Sequence, residues 1–333
     1  MPDTPESAKM SSKNQSIKKR KLEEQVAISV LFLGGLLSVG IVLAIFSFVF
    51  TESLPLVTDP DQRNEMSLYH DTENEDEFAR TASVFQTLDN MLGQIMWQPV
   101  SEQPLFSLWP LMAGTLKITL VAVVEGSIIS FLTALAIAFY LPKKLRYAVK
   151  VITELLAGMP TVVLGFLGLI FFATYMQEIT GTTFRLNAFL AGTMLSLTVI
   201  PIMTTLFEDI YSSYPKEQIH AAKCCGLFDY QIITSIIIPA TYGKVFAAAL
   251  LGFGRSFGET MIVLMCSGNA AIFNMDFAAG ARTFAATIGA EMGEVIVGDT
   301  HYSMLFLLGL ILIVTTFVIN YASQKLIRRW TYA

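Results

Sequence analysis

Arg255 and Glu259 are the first residues whose types and spacing suggest chemistry, because they are the charged members of a glycine-rich apolar stretch. An arginine at the centre of a membrane-spanning helix costs about 2.5–3.5 kcal/mol on insertion scales, so its side chain should face protein or water. Its guanidinium is a permanently charged planar fork that suits the oxygens of an anion. Glu259 follows four residues later, on the same face of a helix and within reach of Arg255. The pair predicts a gated anion site; the alternative is an ion pair that locks neighbouring helices together.

A second polar segment, residues 218–239, comes just before that stretch. It reads His220-Ala221-Ala222, three residues, Gly226, nine residues, Ile236, one residue, and then Ile238-Pro239. Polar and apolar residues mix here, without an apolar run long enough to span a membrane. We expect a helix, a turn at Gly226, and a short helix that Pro239 ends. A short helix tied to two membrane spans can pass the motion of a partner into those spans.

The composition indicates a polytopic membrane protein. The 333 residues are 53% hydrophobic and 15% charged, with a mean hydropathy of +0.57, whereas a soluble domain carries roughly 25% charged residues. Six apolar runs approach or exceed the roughly 20 residues that a membrane-spanning helix needs. They lack the alternation of barrel strands, so the predicted fold is all-α with six transmembrane helices. The predicted spans are 26–50, 111–141, 149–176, 188–211, 242–267 and 302–326.

Lysine and arginine distribution sets the expected orientation, because these residues accumulate on the cytoplasmic side. The predicted regions are a cytoplasmic basic tail (1–25), a first span retained as an anchor (26–50), an extracytoplasmic acidic segment (51–110), a core of five spans (111–326) with a cytoplasmic loop (215–239), and a cytoplasmic tail (327–333). Both termini are therefore predicted to be cytoplasmic. Residues 82–96 have the apolar spacing of an amphipathic helix, which lies on the outer surface or serves to dock an external partner. Residues 281–294 are expected to form a short re-entrant or surface helix.

The third predicted span contains Gly158-Met159-Pro160-Thr161. A proline inside a helix removes a backbone hydrogen bond and kinks the helix. In a membrane this is tolerated where the freed carbonyl meets protein or lines a cavity. Pro160 and Thr161 therefore belong either to ordinary helix packing or to a translocation path.

The spacing in residues 220–239 resembles the EAA loop of ABC-importer permeases. The pattern of that family is Glu-Ala-Ala, three residues, Gly, nine residues, Ile, one residue, Leu-Pro; this chain has His220 in place of Glu and Ile238 in place of Leu. The resemblance implies a type I ABC-importer permease bundle whose loop docks into a groove on an ATPase subunit. The residues that it assigns to ATPase coupling are His220, Ala221, Ala222, Gly226, Ile236 and Pro239.

The sequence of the fifth span indicates a more specific group within this family. The run from Gly252 to Met261 and the run from Glu154 to Val163 are similar to PstC-type permeases of phosphate importers. The resemblance implies a permease subunit that moves inorganic phosphate across the bacterial cytoplasmic membrane by alternating access. The implied partners are a PstA-like second permease, two ATPase subunits, an extracytoplasmic phosphate-binding protein and membrane lipid. The implied substrate path comprises Arg255, Glu259, Thr260, Pro160 and Thr161.

Enzymatic activity and nucleic-acid binding are not expected of this chain. Gly243-Lys244 is followed by Val245 and lacks the glycine of a phosphate loop, so ATP and magnesium belong to the partner ATPases and the chain needs no cofactor or metal. It also lacks the basic patch that nucleic-acid binding requires. Two alternatives remain: an ion-coupled anion carrier or channel, and an ABC permease for another oxyanion. A carrier would need coupling carboxylates in several spans or an inverted repeat.

Overall fold

The computed structural model describes residues 5–59, 61–62, 91–101 and 104–331. The chain forms two units, residues 1–51 and residues 52–333. The first unit consists of most of helix α1 (Pro5–Ser53), whose later part is strongly apolar. Most of the acidic segment and of the helix predicted over 82–96 lies outside the described residues. Of that helix, residues 91–93 are helical, but residues 94–96 are not, so the prediction is wrong at its end.

Where the structure describes it, the second unit consists of helices, connecting loops and one small antiparallel pair of strands, β1 (Trp97–Gln98) and β2 (Leu105–Phe106). Its helices are α2 (Pro55–Thr58), α3 (Trp109–Leu135), α4 (Lys143–Ala157), α5 (Thr161–Leu167), α6 (Ala173–Thr180), α7 (Ala188–Ser212), α8 (Lys216–Cys224), α9 (Asp229–Ile232), α10 (Ile238–Phe257), α11 (Met261–Cys266), α12 (Phe284–Glu291) and α13 (Thr300–Thr331). π-helical segments at Ala136–Tyr140, Gly168–Phe172 and Ile233–Ile237 extend or join these helices.

Six helical stretches of the described residues are long and apolar enough to cross a membrane, which confirms the predicted all-α polytopic fold. They are Glu24–Thr58, Trp109–Tyr140, Thr161–Thr180, Ala188–Ser212, Asp229–Phe257 and Thr300–Trp330.

The predicted third span, 149–176, is wrong at its start. The chain leaves the helical conformation between Ala157 and Thr161, so α4 is a separate helix and the spanning stretch begins at Thr161. Pro160 causes this break, because its ring restricts the preceding residue to extended conformations and removes a helical N–H. Helix α4 buries none of its side chains in this chain.

The predicted fifth span, 242–267, is wrong at both ends. Helical backbone begins at Asp229, continues through the π-helical segment and stops at Phe257. Pro239 therefore does not end the short helix. It lies at the start of α10, directly after the segment in which the Ile238 N–H bonds to the Ile233 carbonyl, and the missing proline N–H is tolerated at such a first turn.

Helix α7 forms the centre of the second unit. Helix α3 runs parallel to it, because Gly192 lies against Val121 while Gly126, further along, lies against Val199. At both glycines a Cβ atom would crowd the facing valine, so the small residues permit a close approach of the two helices.

The remaining helices pack on other sides of α7. The stretch from α4 to α6 runs antiparallel to it: Lys150 Nζ lies 2.8 Å from a carboxylate oxygen of Glu208, near the end of α7, and Gly168 packs against Met194, near its start. Helix α13 packs on α10. We call the end of the second unit that carries α8 the α8 end, and the opposite end, which carries α12, the α12 end.

Candidate functional site

Two helix breaks lie side by side, one between α4 and α5 and the other between α10 and α11. A Cβ on Gly165 would lie 3.3 Å from Ile262 Cα, and one on Gly168 would lie 2.6 Å from Cys266 Sγ. The Cys266 thiol also donates to the Gly165 carbonyl over 3.4 Å. Because the later of the two glycines faces the later residue of α11, α5 and α11 run parallel.

The breaks lie near the middle of the bundle. Gly252 of α10 packs against Val199 and Met203, and both residues lie within about one turn of the centre of α7. Arg255 is three residues beyond Gly252, which is about 4.5 Å along the helix axis. The expectation that Arg255 lies at the centre of a helix is therefore wrong, since α10 ends two residues later, but its Cα still lies near the middle of the second unit.

The predicted pairing of Arg255 with Glu259 is also wrong. Because α10 ends at Phe257, Glu259 lies in the break and not on the face of α10 that carries Arg255. The Glu259 carboxylate accepts a hydrogen bond from the Met261 backbone N–H over 3.3 Å, at the start of α11. Within the described part of the chain, no ion pair joins Arg255 to a carboxylate.

The surface around the breaks is open on this chain. Arg255, Gly158, Pro160 and Gly258 are all exposed, and a Cβ on Gly258 would meet no atom within 4 Å. Thr161, Glu259 and Thr260 are half-buried. The structure thus brings the five predicted path residues to one pair of adjacent breaks.

This arrangement can hold an anion. The first N–H groups of a helix lack intrahelical acceptors and carry partial positive charge, and a spanning helix begins at Thr161. The guanidinium of Arg255 adds a full positive charge and several donors. Broken helices at the middle of a membrane protein commonly form substrate sites for this reason.

The segment at the α8 end has the predicted helix and glycine turn, but the helix after the turn is not short, because it continues into α10. Gly226 has φ +80, its N–H donates to Lys223 O over 3.0 Å, and the Leu227 N–H donates to Ala222 O over 3.3 Å. This is a Schellman motif, which needs a residue of positive φ at that position and therefore favours glycine. The spacing between Ala222 and Gly226 thus has a direct backbone cause.

The six predicted coupling residues divide into a buried and an exposed set. Ala222 is 7% exposed and belongs to the apolar core at the α8 end, and Ile236 is half-buried. The exposed members are His220, Ala221, Gly226 and Pro239. Phe228 and Tyr230 extend this surface: both are exposed and their rings stack at 6.2 Å. The α8 end therefore presents a polar helix and an aromatic pair to a partner.

A charged network at the α12 end escaped the sequence analysis. Glu291 Oε1 lies 2.6 Å from an Arg282 guanidinium nitrogen, and Oε2 lies 2.9 Å from His301 Nε2 and accepts from Trp97 Nε1 over 3.1 Å. Burial alone would raise the pKa of Glu291, but the bond with His301, the charge of Arg282 and the bond from Trp97 outweigh it, so the pKa is lowered. Trp97 and Glu291 are 194 positions apart in the sequence, so no local pattern could predict their contact.

Lys117 was also missed, although a lysine inside an apolar run is itself a signal. It is 4% exposed, and its Nζ donates to the Asp276 carbonyl over 3.0 Å. Nearby, the Phe284 N–H donates to Thr115 Oγ1 over 3.2 Å, and Gly114 lies against the Arg282 carbonyl. These contacts fasten the segment before α12 to the start of α3.

Comparison with known proteins gives a family match over most of the second unit. The model described as "Binding-protein-dependent transport system inner membrane component" matches residues 126–332. The chain is 28% identical to the probable ABC transporter permease protein YqgH of Bacillus subtilis, over 70% of this chain and 77% of that protein. It is 29% identical to the phosphate transport system permease protein PstC 1 of Mycobacterium tuberculosis, over 66% of this chain and 72% of that protein.

The fold is also found in a solved structure. A chain of the MetNI methionine ABC transporter, in inward facing conformations, superposes with a TM-score of 0.51 at 18% identity. The match covers 67% of this chain and 97% of that one. At this sequence identity, the structural similarity is evidence for a shared fold only.

Proposed function

Because this chain belongs to the family of binding-protein-dependent transport system inner membrane components, we propose that it is the permease subunit of an ATP-driven importer of inorganic phosphate. The observation that carries the proposal is the exposed guanidinium of Arg255 beside two adjacent helix breaks, near the middle of the bundle. Several relatives bear the name phosphate transport system permease protein, which supports phosphate as the cargo.

The path runs past Arg255, Glu259, Thr260, Pro160 and Thr161. Arginine suits the tetrahedral oxyanion because its planar fork donates to two oxygens at once and stays charged. The wall opposite Arg255 comes from a second, PstA-like permease, since the face that carries the breaks is open on this chain. Phosphate is bound between the two subunits and is passed to the cytoplasm when they part.

The conformational change that displaces Arg255 starts at the α8 end. Residues 229–257 form one helical stretch, about 42 Å long at the rise of an α-helix, which joins the docking segment to Arg255. ATP and magnesium are bound by two partner ATPases, whose closure pushes on residues 216–239 and so displaces Arg255. An extracytoplasmic phosphate-binding protein delivers the cargo at the α12 end.

The orientation follows from charge. Lys143, Lys144, Arg146 and Lys216 lie near the α8 end, and such residues accumulate on the cytoplasmic side. We therefore propose that the α8 end and both termini lie in the cytoplasm, within a multi-pass protein of the bacterial cytoplasmic membrane.

The test is uptake of labelled phosphate by proteoliposomes that hold this chain with its second permease, ATPases and binding protein. We expect uptake to require ATP and to cease when the ATPases are omitted. Uptake by this chain without an ATPase, driven by a cation gradient, would instead indicate an ion-coupled carrier. Competition by arsenate, molybdate and phosphonate at equal concentration checks the cargo; a stronger response to one of these anions than to phosphate would reassign the substrate.

A further inference from the structure

Helix α12 touches the helix break that carries the proposed anion site. A Cβ on Gly289 would lie 2.6 Å from the Cγ2 methyl of Thr260, the last residue of the break. Thr260 lies between Glu259 and Met261. The Glu259 carboxylate accepts a hydrogen bond from the Met261 N–H. The α12 backbone thus lies directly against the residue that links Glu259 to α11.

The start of α12 is fixed to α3. Thr283 caps the helix, with its Oγ1 accepting from the Ala286 N–H over 3.2 Å, and the Phe284 N–H donates to Thr115 Oγ1. Phe284, Ala285 and Ala286 are buried. This end of α12 therefore cannot shift without leaving buried hydrogen-bonding groups unpaired, which is unfavourable.

The last residue of α12, Glu291, fixes the other end. Its two carboxylate oxygens bind Arg282, His301 and Trp97, which belong to the segment before α12, to α13 and to β1. The side chains of Glu291, Arg282 and His301 are 13%, 18% and 12% exposed, so water does little to weaken these bonds.

We infer that α12 positions the anion path: fixed at both ends, it holds Thr260, and with it Glu259, through the contact at Gly289. This inference rests on the proposed function. Gly289 and Glu291 are positioning residues, since neither lies at the break itself. A side chain at position 289 pushes Thr260 aside, and Thr260 yields poorly because β-branched residues have few χ1 options.

The experiment is a double-mutant cycle in the complete importer. Gly289→Ala adds the methyl group that meets Thr260, and Thr260→Ser removes the methyl group that it meets. Gly293→Ala is the matched control, because a Cβ there would meet no atom within 4 Å. Each variant is compared for phosphate uptake per assembled complex, ATP hydrolysed per phosphate, and melting temperature.

We expect Gly289→Ala to lower uptake per complex by about tenfold or more, since misplacement by about 1 Å can cost a hundredfold. The melting temperature should change little, the Gly293→Ala control should match the wild type, and Gly289→Ala/Thr260→Ser should recover to the level of Thr260→Ser alone. Normal uptake in Gly289→Ala, or a loss that Thr260→Ser does not repair, would overturn the inference.

If Gly289→Ala prevents assembly, Thr260→Ile enlarges the side chain on the other side of the contact, and Thr260→Val removes the hydroxyl without that enlargement. Uptake per complex that is lower in Thr260→Ile than in Thr260→Val supports the inference, and equal uptake in the two variants overturns it. If the wild-type complex moves no phosphate, the proposed function fails, and the contact is then judged by the same cycle on the ATPase rate, which requires no cargo.

Discussion

Glu259 accepts a hydrogen bond from the Met261 backbone N–H over 3.3 Å, which commits its carboxylate to the helix that follows the break. Arg255, four residues earlier, has no ion-pair partner among the described residues. The Glu259 carboxylate therefore binds the first N–H of α11, while the Arg255 side chain lies on the open surface. Because the two residues have different roles, substitutions of Arg255 and of Glu259 should have different effects on transport and stability.

Arg255→Gln should abolish phosphate uptake and leave assembly of the importer intact. The side chain is exposed on this chain, so the fold loses little when the charge is removed, whereas the anion loses its main donor. Arg255→Lys should retain a small fraction of activity, because lysine keeps the charge but not the planar fork. Uptake and the amount of purified complex are measured together; loss of the complex itself would favour a structural lock.

Glu259→Gln should be far milder than Arg255→Gln, because glutamine still offers an oxygen to the Met261 N–H. Glu259→Ala removes the acceptor of the Met261 N–H and should cost about 1 kcal/mol of stability. The free energy of unfolding and the uptake rate of the two variants distinguish these effects. Equal damage from Glu259→Gln and Arg255→Gln would show that the charge of Glu259 acts in transport.

Gly226→Ala should weaken association with the ATPases. The substitution forces alanine into a left-handed conformation, which costs about 1–2 kcal/mol, and so distorts the turn after α8. Gly181→Ala is the matched control: Gly181 has φ +66, Gly226 has φ +80, and a Cβ at either would meet no atom within 4 Å. Co-purification of the ATPases should fall in Gly226→Ala only. Equal loss in both variants would point to general destabilisation.

Glu291 should make the α12 end sensitive to acid. Its pKa is lowered in the folded protein from an ordinary value of 4.5, so its contribution is present above pH 4.5 and is lost as the pH falls through the lower, folded value. Glu291→Gln should cost about 1–3 kcal/mol at neutral pH. Thermal unfolding of both proteins across pH provides the check: the gap between them should narrow on acidification, and a constant gap would contradict the assignment.

Hydropathy and spacing predicted much of this architecture. The lengths of the apolar runs indicated six spanning helices, and the four-residue step from Ala222 to Gly226 indicated a glycine turn that the backbone hydrogen bonds explain. The break after α10 was not predictable, because the apolar run continues through Gly258 and hydropathy does not register a change of backbone direction. Pro160 did signal an irregularity, but a kink and a full break have the same local sequence.

The charged network at the α12 end could not be predicted from local sequence patterns, for another reason. Trp97 is distant in the sequence from Arg282, Glu291 and His301, and each of the four is an ordinary residue in its own neighbourhood. Their meeting depends on how α12, β1 and α13 pack, which a single sequence does not reveal. Arg255 was recognised because a charge in an apolar run is conspicuous; Glu291 lies in a short predicted helix outside the long apolar runs, where charges are expected.

The uninterrupted helical stretch over 229–257 also bears on the order of events in a transport cycle. A helix transmits displacement along its axis without delay on the timescale of turnover, so the docking end and the guanidinium of Arg255 would shift in the same step. The proposed importer would then have no long-lived intermediate in which the nucleotide-driven stroke is complete but the cargo is still held as before. Pre-steady-state measurements should find phosphate release and ATPase closure with a single shared rate constant.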